Sequence, residues 1–237
     1  MDFITDKWTK EKYSELVDYL ISIGDVKYRD FHKSLTPGAG RVLGIRMPVL
    51  RAIGKEISKG DTKSFYECCG NEYYEESMLM GIVAGNEKTD AEGLIKLVDG
   101  FLPRISNWAV CDCFCAGLKG CKKYKAEMFA YIDRLLRSDN DWHIRAGLVL
   151  MLDFFILPEY IDEVLKRCDA IHSTSYYVYM AQAWLVSICY IKFKDKTLSY
   201  LHYSTLNTVT YNKAIQKIRE SLRVSKEEKD FLNTLKK

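Results

Sequence analysis

SNWAVCDCFCAGLKGCKKYKAEMFAYIDRLLRSDNDWHIR, residues 106–145, holds one full structural period of this chain. Apolar residues recur three and four apart, so the stretch reads as helix throughout rather than strand. A first helix starts near Ser106, a more polar second helix near Lys123, and Asn140 opens the next first helix. Outward from this unit, first-helix starts fall near Tyr73, Ser106, Asn140, Ser175 and Asn207, about 33, 34, 35 and 32 residues apart. That is the spacing of helical-hairpin repeats. Serine or asparagine stands ready as N-cap at four of the five starts, where a side-chain oxygen can accept from an orphan backbone N–H. The partner helices start near Asp90, Lys123, Pro158, Lys194 and Ser225. A single pair of this kind cannot bury its apolar side alone, whereas stacked pairs share one core and present a curved surface.

The remaining chain is consistent with this. Only 14 glycines and 4 prolines punctuate 237 residues, and alternating strand-type runs are short and isolated. Towards the amino terminus, up to about Cys69, shorter and less regular helices are expected. Leu16, Val17, Tyr19, Leu20 and Ile23 mark one, and Pro48 opens another at its first turn. The one convincing loop is Thr36-Pro37-Gly38-Ala39-Gly40. No linker-like composition divides the chain, so residues 1–237 are read as a single all-α domain.

Composition excludes several classes. No apolar run reaches the ~18 residues that span a bilayer. The stretch Met1-Asp2-Phe3-Ile4-Thr5-Asp6 has neither the basic nor the apolar region of a secretory signal; a cytoplasmic protein is expected. The eight cysteines form no CxxC pair, which zinc and dithiol redox sites use. On a helix Cys111 and Cys115 share a face while Cys113 points away, so these three do not hold one metal. Small, reduced, buried side chains are the expectation. The net charge of +3, from 35 basic and 32 acidic residues, neither favours nor excludes a nucleic-acid partner, because affinity rests on where the cations lie.

Several first-helix residues can carry chemistry. Trp108 and Asp112 lie four apart, hence on one helix face. An acid beside an aromatic ring can stabilise a cation, or the pair can be half-buried core with a local ion partner. Arg145, at the edge of the apolar run through Phe155, suits bidentate phosphate binding or a structural bridge to Asp112 or Asp153. Trp184, flanked by Ala183 and Leu185, is either core or an aromatic wall. Lys213 and Lys217 stand one turn apart and are candidate phosphate contacts, although a solvated helix face has the same spacing. If each first helix lines the concave side of the solenoid, these residues converge on one groove. His32, His143, His172 and His202 show no ligand spacing.

In order along the chain come Leu43-Gly44-Ile45-Arg46-Met47-Pro48, Tyr73-Tyr74-Glu75-Glu76, Asn107-Trp108-Ala109-Val110-Cys111-Asp112, Tyr176-Tyr177-Val178, Ala183-Trp184 and Tyr211-Asn212-Lys213-Ala214-Ile215-Gln216-Lys217. Together, from about Tyr13 to Leu235, they resemble the bacterial DNA alkylation repair proteins typified by AlkD. The resemblance implies a curved stack of HEAT-like repeats and a monomer without cofactor or metal. It also implies excision of purines alkylated at N3 or N7 from duplex DNA. By that pattern Asp112 is the carboxylate that stabilises an oxocarbenium-like sugar, Trp108 and Trp184 are the aromatic walls, and Arg145 holds a phosphate. Tyr28 and Phe31 both fit the amino-terminal aromatic contact.

Three features depart from the pattern. Leu185-Val186-Ser187-Ile188-Cys189 follows Trp184 where a basic residue is expected within a turn. The Thr36–Gly40 loop resembles an insertion near the aromatic wall. The net charge is modest. These features match a paralogous branch that keeps the fold and acts as a scaffold for protein or nucleic acid without excision. A basic band across the concave face favours the enzyme; a neutral, acidic or loop-closed groove favours the scaffold.

Overall fold

The computed structural model describes residues 3–237, and among them 14 α-helices and two short 3-10 turns but no strand. The chain divides into two compact units, one ending at Tyr124 and one running from Lys125 to Lys237.

The first unit contains α1 (Lys10–Ser22), α2 (Val26–Leu35), α3 (Met47–Ile57), α4 (Thr62–Cys68), α5 (Tyr74–Asn86), α6 (Ala91–Phe101) and α7 (Trp108–Gly117). Helices α3, α5 and α7 pack side by side in a row. The middle helix shows what that position demands: Tyr74, Glu75, Glu76, Ser77, Met78, Leu79, Gly81, Val83 and Ala84 are all buried, because α5 has neighbours on several sides. Helix α6 instead buries one stripe, Leu94, Val98 and Phe101, as expected of a peripheral amphipathic helix. Phe101 stacks on Phe114 of α7 with ring centroids 3.9 Å apart. Each such fully buried side chain contributes roughly 1.5–3 kcal/mol.

The second unit repeats the arrangement with α8 (Lys125–Leu136), α9 (Asp141–Phe154), α10 (Ile161–Asp169), α11 (Tyr176–Lys192), α12 (Lys194–Tyr203), α13 (Thr208–Glu220) and α14 (Lys226–Thr234). Helices α9, α11 and α13 form its row. Helix α10 buries only Ile161, Val164, Leu165 and Cys168, so the contrast between rich first helices and polar second ones is a contrast between central and peripheral packing.

The expected starts agree with the helices to within a few residues. Asn140 and Asn207 cap α9 and α13, accepting from Trp142 N at 2.9 Å and Thr210 N at 2.9 Å. At α7 the cap is Asn107 rather than Ser106: its buried carboxamide oxygen accepts from Ala109 N and Val110 N at 3.0 and 3.1 Å. Ser175 occupies the cap of α11 without a side-chain bond. Helices α8 and α10 begin two to three residues later than expected, after a 3-10 turn over Lys119–Lys122 and a turn around Tyr160. The amino-terminal helices are less short than expected, since α1 has 13 residues, as many as α5.

All eight cysteines are free thiols. Cys111 and Cys115 are buried on one face of α7 while Cys113 is part-exposed on another, as helical spacing requires. Among the described residues no helix is long and apolar enough to cross a membrane.

Candidate functional site

The two family motifs in the amino-terminal half, residues 43–48 and 73–76, explain one another. Glu75, 1% exposed, accepts from three successive backbone donors, Leu43 N at 3.0 Å, Gly44 N at 2.8 Å and Ile45 N at 3.3 Å. A buried carboxylate is costly unless hydrogen-bonded, and this row of donors meets that need while fixing the approach to α3. Gly44 turns the chain with φ +90°, and a Cβ there would sit 2.2 Å from Asp25 O. Neighbouring Glu76 reaches back to Tyr73 N at 2.7 Å and accepts from Tyr13 Oη at 2.6 Å, tying α1 to the start of α5.

On that frame stands the aromatic end of the first unit. Asp25 caps α2 through Tyr28 N at 3.0 Å and pairs with Arg46 at 3.6 Å. The Arg46 guanidinium lies over the Tyr28 ring, 4.6 Å from its centroid. His32 follows, its ring 4.7 Å from that of Tyr74; burial pushes its pKa down, opposed by the Glu75 charge. Of the two aromatic candidates on α2, Tyr28 is thus half-buried under Arg46, whereas Phe31 is 59% exposed.

Trp108 is the first residue of α7, presented by the Asn107 cap. Its Nε1 donates to Leu35 O at 2.9 Å, the last residue of α2. Just beyond, Gly38 approaches the Ser106 carbonyl, and Thr36 and Ala39 are buried. The Thr36–Gly40 loop therefore packs beside the start of α7. Asp112 lies one turn further on, part-exposed on the face of Trp108. The half-buried indole, held at its nitrogen, sets a rigid apolar edge beside this carboxylate.

In the second unit, Arg145 of α9 is only 6% exposed, and its Nη1 donates to Tyr177 O at 2.8 Å in the first turn of α11. Trp142 lies against Tyr177 with centroids 4.7 Å apart. Trp184, half-buried on α11, lines a cleft of about 220 Å³ with Ser187, Ile188, Ile191, Lys217, Glu220 and Ser221. The structure thus groups Trp184 with Lys217, an aromatic face with a cation. Lys213 points elsewhere, to Gln216 Oε1 at 2.8 Å, and Asn212 bonds the Lys237 backbone at 2.7 and 3.0 Å.

A larger hollow of about 510 Å³ lies between α10 and α12. Its charges are largely satisfied internally, since Lys196 pairs with Asp162 at 2.5 Å. Asp169 accepts from Tyr200, Ser204 and Thr205 at 2.9, 2.7 and 2.6 Å. Among the described residues no three histidine, cysteine or acidic side chains are gathered as a metal site.

Sequence reading missed the role of Glu75, although Tyr73-Tyr74-Glu75-Glu76 was visible as a motif. Nothing local in the sequence pairs it with residues 43–45, or pairs Arg46 with Tyr28.

A search of curated proteins found no match. The family model described as DNA alkylation repair enzyme matches residues 18–218, which takes in α2 to α12, most of α13 and every motif named above. The chain belongs to the DNA alkylation repair enzyme family.

Proposed function

We propose that the protein is a DNA glycosylase that excises cationic N3- or N7-alkylated purines from duplex DNA, as a cytoplasmic monomer without cofactor or metal. The observation that carries this reading is the Trp108–Asp112 pair. A part-exposed carboxylate sits one helical turn from an indole fixed through its Nε1 to Leu35 O.

The chemistry asks little more of the protein. An alkylated purine carries a formal positive charge. When its bond to C1′ breaks, the bonding electrons leave with the base and neutralise it. The sugar is left oxocarbenium-like. The Asp112 carboxylate stabilises that cation as it forms, the kind of electrostatic preorganisation that dominates many rate enhancements. Water adds at C1′ and loses a proton, giving an abasic site and the neutral alkylpurine. Trp108 supplies an apolar wall with a negative π face for a cationic centre. Trp184 is assigned as the second aromatic contact. Lys217 and Lys213 are assigned to phosphates, and Tyr28 or Phe31 to the amino-terminal contact.

Arg145 keeps its assignment as a phosphate ligand only if its guanidinium can serve an anion from its buried place beside Tyr177 O. That burial, with the loop packed at the start of α7, favours the second reading: a catalytically silent helical scaffold for protein or nucleic acid. Fold alone does not choose between them.

The deciding experiment is single-turnover release of 7-methylguanine from an oligonucleotide duplex by the parent and by Asp112→Asn. The glycosylase reading expects excision to fall more than tenfold with duplex binding almost unchanged. Full excision by the variant removes Asp112 from its role, and no release by the parent in large excess selects the scaffold.

A further inference from the structure

The row α3–α5–α7 opens into a hollow of about 470 Å³ whose lining includes Arg51 and Lys55 from α3, Asn86 and Gly85 from α5, and Gly117 and Lys119 at the end of α7. No acidic side chain lines it. Elsewhere on the surface, lysines pair with acids: Lys59 with Glu56, Lys96 with Glu92, Lys166 with Glu163 and Lys196 with Asp162. Arg51 and Lys55 are exposed, yet neither has an ion pair among the described residues. Like charges held around one concavity repel, and low-dielectric walls focus their field outward into the opening.

The floor of the hollow is low for a structural reason. A Cβ on Gly85 would lie 2.9 Å from Gly117 O, so α5 and α7 approach closely only because glycine occupies that position. Small residues there leave room for a ligand between the longer cationic side chains. Arg51 and Cys113 line the same hollow, and the Arg51 charge opposes the upward push that burial gives the Cys113 thiol. Lys119 Nζ donates to Ala116 O at 2.6 Å, holding its charge at the rim. Arg51 and Lys55 are one turn, about 6 Å, apart along α3.

We propose that this hollow is a phosphate-binding site in which Arg51, Lys55 and Lys119 take backbone phosphates of the duplex. The inference rests on the DNA reading above and adds a binding surface to it. Ala116, which also lines the hollow, stands one turn from Asp112 on α7. The site therefore begins about 6 Å along the helix from the carboxylate, roughly two base-pair steps of a duplex. Its part is to fix the register of the strand, since phosphate contacts position and carry no sequence information.

The test is binding of an undamaged 21-base-pair duplex between about 50 and 200 mM KCl, comparing the parent with the double variant Arg51→Ala/Lys55→Ala and with Lys59→Ala. Each phosphate contact contributes about 0.9 to the slope of log affinity against log salt. The double variant is expected to lose about 1.8 from the slope, so its affinity falls about twelvefold less than the parent's over this range. Lys59→Ala is expected to keep the parental slope. Single-turnover release of 7-methylguanine by the parent is measured alongside, so that the phosphate site and the glycosylase reading are judged separately. A parental slope in the double variant overturns the phosphate site and leaves the glycosylase reading standing. Loss of slope with a parent that releases no base does the reverse. If the parent binds no duplex, calorimetry with inorganic pyrophosphate decides. Binding abolished by the double variant assigns the site to a soluble phosphate, and no binding by the parent overturns it.

Discussion

Replacing Glu75 by alanine removes the single acceptor shared by Leu43 N, Gly44 N and Ile45 N. Gly44 and Ile45 are bonded in a buried setting and Leu43 in a part-buried one. A buried donor left without a partner costs about 1–3 kcal/mol. Taking the low end for each, because the vacated carboxylate volume admits some water, the variant should lose about 3–4 kcal/mol. For a protein of this size each kcal/mol moves Tm by about 2–4 °C, so melting should fall by roughly 6–16 °C. Glu75→Gln keeps one acceptor but turns an NH₂ towards the donors, and should lie between parent and alanine. Urea unfolding and thermal melting of the three proteins measure both quantities. An alanine variant within about 1 kcal/mol of the parent would refute the claim that this carboxylate holds the turn into α3.

Gly44→Ala attacks the same turn from the other side: φ is +90° and the new Cβ would meet Asp25 O at 2.2 Å. A loss of more than about 2 kcal/mol is expected, and parental stability would show that the turn relaxes freely. Asp169 gives a pH dependence. Burial raises its pKa, but hydrogen bonds from Thr205, Ser204 and Tyr200 outweigh it, so the folded value lies below the ordinary 3.8. A depressed folded pKa means that the stabilisation is present above the unfolded value and is lost as pH falls through the folded one. Asp169→Asn should therefore be less stable than the parent above about pH 4 and converge with it in stronger acid. A constant gap across the acid range would deny the linkage. Asp112→Asn is expected to lower excision more than tenfold, and its melting curve, taken beside the parent's, checks that the variant is folded when it is assayed.

What the sequence by itself determined is local and periodic. Apolar residues three and four apart make helices, and Asn140 and Asn207 fix where two of them start. The 32–35 residue spacing makes the pattern a repeat, because each helix pair must bury its apolar side on the next. The ordered motifs from Leu43 to Lys217 were likewise visible, and the family match spans them. Partners distant in sequence were not legible, because helix packing brings them together. Trp108 and Leu35 are 73 residues apart, Glu75 and Gly44 31 apart, and Arg145 and Tyr177 32 apart. Arg145 reads in sequence as an edge cation; only packing of α9 on α11 buries it. In sequence nothing sets the Arg51 and Lys55 stripe of α3 apart. The close approach of α5 to α7 at Gly85 and Gly117 turns that stripe into one wall of a cationic hollow. Periodicity fixes which face of a helix is apolar, but what a polar side chain meets depends on neighbouring helices, and only tertiary structure specifies those.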